Sequence, residues 1–96
     1  MVETADQLAT ATLNGRLLSF GHGVLIHAVH DWHVALYQVP ARAREAVRAG
    51  GHLVVETMAG QRFTGDVLTE YTTRGGEYVL LTVVGTLTLQ SSGRVA

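Results

Sequence analysis

His52-Leu53-Val54-Val55-Glu56-Thr57-Met58, then Ala59-Gly60, then Phe63-Thr64-Gly65-Asp66-Val67-Leu68-Thr69-Glu70-Tyr71-Thr72, reads as strand, tight turn and strand. In the second run Phe63, Gly65, Val67, Thr69 and Tyr71 share one face, and Thr64, Asp66, Leu68 and Glu70 share the other. That is the period of two expected of a half-buried β-strand. Downstream, Arg74-Gly75-Gly76 supplies the next turn. Glu77 to Val84 is nearly all apolar, which predicts a central strand covered on both faces. Gly85 marks a bend or bulge, Thr86-Leu87-Thr88-Leu89-Gln90 alternates again, and Ser91 to Ala96 reads as a frayed tail.

Upstream, Val39-Pro40 ends an extended run, because the residue before proline is pushed toward β geometry. Ala41 to Ala49 consists of good helix formers between Pro40 and the stop signal Gly50-Gly51. A helix of that length is unstable alone, so it must dock, through Ala43, Ala46 and Val47, leaving Arg42, Arg44 and Arg48 in water. Before it, Thr10 to Phe20 is broken by Asn14-Gly15, the usual dipeptide of a type I′ hairpin. Gly23 to Val29 and Val34 to Val39 are further β-rich runs. The expected fold is therefore mostly β: one small domain over residues 1–96, a barrel or two packed sheets of six or seven short strands, with one helix near 41–49 as a crossover. The halves are weakly alike. Sliding the chain by 45 residues aligns 8–39 with 53–84 and matches Leu8/Leu53, Thr12/Thr57, Gly15/Gly60, Val34/Val79, Leu36/Leu81 and Val39/Val84.

The run Val54 to Val67, with Tyr78-Val79-Leu80-Leu81 after it, resembles the core of small SH3-like barrels, and of Sm-like barrels in particular. Those families run an apolar strand into a tight Gly turn and place a second Gly where the next strand bends, as Gly60 and Gly65 do here. A strand that curls has physical need of a residue without a Cβ at that point. The resemblance spans roughly 30 residues and implies a small barrel. The Asp and Asn that Sm-like proteins place around their nucleotide pocket would fall near Tyr71 and Gly75, which do not match, so no functional residue carries over.

Composition excludes several chemistries. The 96 residues are 47% hydrophobic, with a mean hydropathy of +0.21, enough for one core without staples. The chain has no Cys, which removes disulfides, thiolate zinc ligands and thiol catalysis. All seven of its basic residues are Arg, so Lys-based Schiff-base chemistry and Walker-A phosphate binding are also excluded. A net charge of −1 gives no footprint for duplex binding, and nucleic acid is not an expected partner. Two acids near the N-terminus and no long apolar run predict a cytoplasmic protein without membrane contact, and the all-Arg, Ala/Val/Gly-rich composition resembles a GC-rich bacterial coding sequence. The charge is uneven: residues 1–40 hold three acids, one Arg and four His; 41–50 hold three Arg and one Glu; 51–96 hold four acids and three Arg. Protonating all five His would take the chain to +4, mostly in one hairpin, so sensitivity to pH near 6 is expected.

Four of those His, at 22, 27, 30 and 33, fall within twelve residues. A three-residue loop His30-Asp31-Trp32 would pair Val29 with His33 and Ile26 with Leu36, and would put His27, His33 and Tyr37 on one face. A two-residue turn at His30-Asp31 would instead separate His27 from His33. In the first register His27, His33 and His30 are candidate zinc ligands, with Asp31 fixing a tautomer. His22, between two glycines, reads as a turn residue, and His52 as a surface position. Trp32 is either a binding anchor at the hairpin tip or a lid over the core's edge. The first expectation is a non-enzymatic binding, regulatory or oligomerisation module without a cofactor. It would self-associate through β edges and meet an unnamed protein or small molecule through Trp32, His33, Tyr37, Arg42, Arg44 and Arg48. The second is a zinc-binding protein or small metal-dependent enzyme on His27, His30 and His33. The third is an Sm-like RNA-binding barrel using the Arg helix on phosphates.

Overall fold

The computed structural model describes residues 4–28, 31–48, 50–73 and 78–92. Its elements are β1 (Thr4–Leu13), β2 (Arg16–Leu17), β3 (His22–His27), β4 (Trp32–Tyr37), α1 (Ala41–Val47), β5 (Gly51–Thr57), β6 (Gln61–Thr72) and β7 (Tyr78–Ser92). The strand order is β2-β1-β3-β4-β7-β6-β5, every pairing is antiparallel, and β5 returns to β1. Six strands thus close into a small barrel, with β2 as a short extra strand on β1. The strands that coincide under the 45-residue offset, β1 with β5 and β4 with the start of β7, are the ones that join the two halves. Ala35 lies directly opposite Leu80.

The turn residues act as their types demand. Asn14 and Gly15 have φ of 52° and 83° and close Leu13 against Arg16, the geometry of a type I′ hairpin. Asn14 also reaches across the barrel seam. Its backbone N–H donates to the His52 carbonyl (2.8 Å), its Nδ2 donates to the Gly50 carbonyl (3.2 Å), and its Oδ1 accepts from the His52 N–H (2.9 Å). Gly65 sits where β6 bends over the Gly85 bulge of β7. A Cβ at Gly65 would lie 2.7 Å from Leu87 Cδ2 and 3.3 Å from the Thr86 carbonyl oxygen, so a side chain there would displace the buried Leu87 and crowd the β7 backbone.

The barrel interior is filled from alternate positions: Leu8, Ala11 and Leu13 of β1, Leu25 of β3, Val34 and Leu36 of β4, Leu53 and Val55 of β5, Val67 of β6, and Val79, Leu81, Val83 and Leu87 of β7. Burying each Leu or Val contributes about 1.5–3 kcal/mol. One end of the barrel is plugged by α1 through Ala43 and Val47, together with Leu18 and Val39. Thr69 Oγ1 donates to the Val47 carbonyl and ties β6 to the end of this helix. At the other end Trp32 and Phe63 pack against the core, with ring centroids 5.5 Å apart.

Several expectations need correction. β1 starts at Thr4, ahead of the alternating residues, because pairing of Thr4–Gln7 with β3 organises that segment. The hairpin ends sooner than expected: the Leu18 N–H donates to the Ala11 carbonyl at 2.8 Å as its last rung, Leu18 turns into the core, and Ser19 and Phe20 leave the ladder, Phe20 packing on the core's edge. The apolar run in β7 is covered on one face only: Val79, Leu81 and Val83 point inward, whereas Val84 is 55% exposed. β7 continues through Ser92, paired with β6 at Ser91 and Ser92, where a frayed tail was expected. The helix ends at Val47 with Arg48 as its cap. Ala49, the Arg74-Gly75-Gly76 turn, Glu77 and residues 93–96 lie outside the described residues, as do the side chains of Arg44, Ala46 and Tyr71. No helix among the described residues is long and apolar enough to cross a membrane.

The clamp at Asn14 should weigh on the whole fold. Asn14→Ala removes two side-chain hydrogen bonds and puts at positive φ a residue that tolerates the left-handed region less well than Asn, and should lower the unfolding free energy in urea by about 2 kcal/mol. Asn14→Gly restores only the backbone freedom and should fall between the two. A loss below about 0.5 kcal/mol for Asn14→Ala would show that the seam closes without the clamp.

Candidate functional site

The outward side of β3, β4, β7 and β6 carries more apolar and aromatic surface than a closed barrel needs. Three rows cross it, set by the strand registers. His22, Tyr37 and Tyr78 form one; Val24, Ala35 and Leu80 the next; Ile26, His33, Thr82 and Leu68 the third. In the first row the ring centroids lie 5.5 Å (His22–Tyr37) and 5.0 Å (Tyr37–Tyr78) apart, all tilted, an attractive aromatic arrangement. Ala35, in the middle row, is only 1% exposed although it is not part of the barrel core, because its neighbours close over it. In the third row Glu70 Oε1 accepts from Thr82 Oγ1 and stands 3.6 Å from His33 Nε2.

The band runs onto an open edge. β4 covers β7 only from Tyr78 to Thr82, so from Val83 onward β7 has β6 on one side and no strand among the described residues on the other. This edge carries no charge from Val83 to Gln90 and no Pro. Its outward apolar side chain is Val84, 55% exposed; Leu89, opposite Phe63 on the core-facing side, is still 47% exposed at the barrel's end. Natural edges are blunted by Lys, Pro, bulges or inward charges. Here only the Gly85 bulge serves that end, and Thr88 and Leu89 beyond it pair with Thr64 and Phe63 of β6.

The histidine cluster is arranged differently from either expected register. His27 pairs with Trp32, Ile26 with His33 and Leu25 with Val34. A four-residue connection, 28–31, is closed by the Ala28 N–H donating to the Asp31 carbonyl at 2.9 Å. Side chains directly opposite share a face, so His27 points with Trp32 toward the end of the core and His33 points outward. The structure does not bring His27 and His33 together, and His30 lies outside the described residues. Among the described residues no three His, Asp or Glu side chains converge to hold a metal ion. His22 is not a turn residue: it opens β3 and lies against Tyr37.

Trp32 covers the core's edge. Its ring stacks on His27 at 3.7 Å and 8°, so one of its faces is already occupied. Of the expected contact residues, His33 and Tyr37 lie on the outward band, while Arg42 and Arg48 stand exposed on and just after α1.

The structure also assembles a group invisible to pattern reading. On β5 and β6, Thr64 Oγ1 lies 2.8 Å from His52 Nε2, and His52 Nδ1 lies 3.4 Å from Asp66 Oδ1. Hydroxyl, imidazole and carboxylate therefore stand in the order of a catalytic triad. They do so on open sheet, with His52 and Asp66 side chains 58% and 72% exposed, where water competes for every hydrogen bond and little charge stabilisation is available. Cross-strand pairing of His52 with Asp66 could have signalled this group, but only once the register was known.

Separation of His27 from His33 carries a measurable consequence. Zinc added to the protein should leave its melting temperature unchanged. A rise of several degrees, as ligand linkage requires of a tight site, would reveal a ligand set that includes His30. No family model, curated protein or solved structure matches the chain, so its function is argued from this geometry alone.

Proposed function

We propose that this protein is a non-catalytic β-barrel module that self-associates through the free edge of β7. The observation that carries this reading is the uncharged edge Val83–Gln90, with Val84 exposed on its outward face and Leu89 exposed at its end, on a barrel whose other seam is closed by β1 and β5. Antiparallel pairing of this edge with the same edge of a second copy satisfies both rows of backbone groups about a twofold axis. A net charge of −1 leaves little repulsion between copies. Val84 and the neighbouring Leu68 would then be covered, extending the contact from the edge onto the outward band.

Sedimentation equilibrium tests this directly. The wild-type chain should approach twice its 10.3 kDa mass as concentration rises. Thr88→Lys places like charges close together across the axis at an exposed position, and should return the protein to a monomer without lowering its stability. A wild-type protein that stays monomeric at high concentration overturns the proposal. Should Thr88→Lys leave the mass unchanged while Tyr37→Ser reduces it, the aromatic row rather than the edge is the contact.

A further inference from the structure

A groove of about 460 Å³ opens between the segment that follows the first hairpin and the start of α1. Its floor is core: Leu18 and Ala43 are both buried. Its rim carries Arg16, Arg42 and the hydroxyl of Ser19. On the sheet Arg62 lies 4.0 Å from Glu56, whereas Arg48, past the end of α1, stands exposed. The guanidinium groups of Arg16 and Arg42 make no ion pair or hydrogen bond with another described residue, and no Asp or Glu lines the groove. Leu17 forms part of the wall at 71% exposure, the highest of any large apolar side chain described.

Two unpaired guanidinium groups and a hydroxyl beside an apolar floor call for an anion with an apolar body. Guanidinium forks suit a carboxylate. The wall decides the rest. No aromatic side chain lines the groove, so a nucleobase or aromatic acid would find no stacking partner. Leu17, Leu18 and Ala43 instead offer aliphatic surface, and the volume falls within the range of small-ligand sites. We propose that this groove binds a small aliphatic carboxylate, its charged end held by Arg16 and Arg42 and its tail covered by Leu17 over Leu18. The groups used are side chains on two elements far apart in sequence, brought together only by the fold.

Titration of the full chain with sodium octanoate, followed through backbone amide shifts, tests the site. Saturable shifts should centre on Leu17, Leu18, Ser19 and Ala43, with a Kd below about 1 mM. Octanamide, which keeps the tail and loses the charge, and acetate, which keeps the charge and loses the tail, should each bind at least about tenfold more weakly. The double variant Arg16→Gln/Arg42→Gln should lose about tenfold in affinity with its melting temperature unchanged. Non-saturable shifts, shifts scattered over the outward face, equal binding of octanamide, or an unaltered Kd in the double variant would each overturn the assignment.

Discussion

The pairing of β1 with β5 is the constraint on which the rest depends. It joins Leu13 to Leu53, Ala11 to Val55 and Leu8 to Thr57, residues 40 to 49 positions apart in the chain. Closing so long a loop costs entropy that no local contact returns. The seam is therefore held at both ends. Asn14 locks one end to Gly50 and His52, and at the other the Met58 N–H donates to the Gln7 carbonyl while buried Thr57 accepts from the Gln61 N–H. Once the seam is shut, every inward side chain has a neighbour on all sides. The two strands opposite must then bend, which is why Gly65 and the Gly85 bulge meet in the β6–β7 pair.

Closure also explains where uncovered surface remains. β7 is fifteen residues long, and β4 shields it only as far as Thr82. Its remaining length still sends Val83 and Leu87 into the core but has one side unsatisfied by any described strand. An edge of that kind, without charge, is suited to pairing with another chain. The polar trio Thr64, His52 and Asp66 lies on the sheet at β5 and β6 but faces water, so its geometry alone does not make a reaction centre. The groove beside α1 differs again: there charge is unpaired and the floor is dry, the two ingredients of a small-ligand site.

Much of this was legible in the residues. Asn14-Gly15 announced its turn because only such a pair takes two positive φ values cheaply. Ala41 to Ala49 announced a helix that must dock; it forms over Ala41–Val47, and Ala43 and Val47 dock it. The alternation in β6 and the needs of Gly65 and Gly85 were equally plain. The histidine face was not, because a strand's side-chain period of two makes any odd shift in register exchange its faces. The expected loops differed from the observed one by one or two residues; relative to the three-residue loop the register shift is odd, which leaves His33 and Tyr37 outside and turns β3 over, placing His27 under Trp32 and Val24 and Ile26 on the outward face. Likewise, nothing local told whether Trp32 stood at a tip or over the core.

By itself, then, the sequence determined a cysteine-free, lysine-free β domain with one short helix, its turns, and the inward face of β6, because these follow from local conformational preference and from the alternation of apolar side chains. Only the tertiary structure decided that β5 returns to β1, that β7 outruns its neighbour, and that Arg16 and Arg42 flank one groove. Each of these rests on pairing between distant segments, where register is set by the fit of the whole barrel and no local preference distinguishes one alignment from the next.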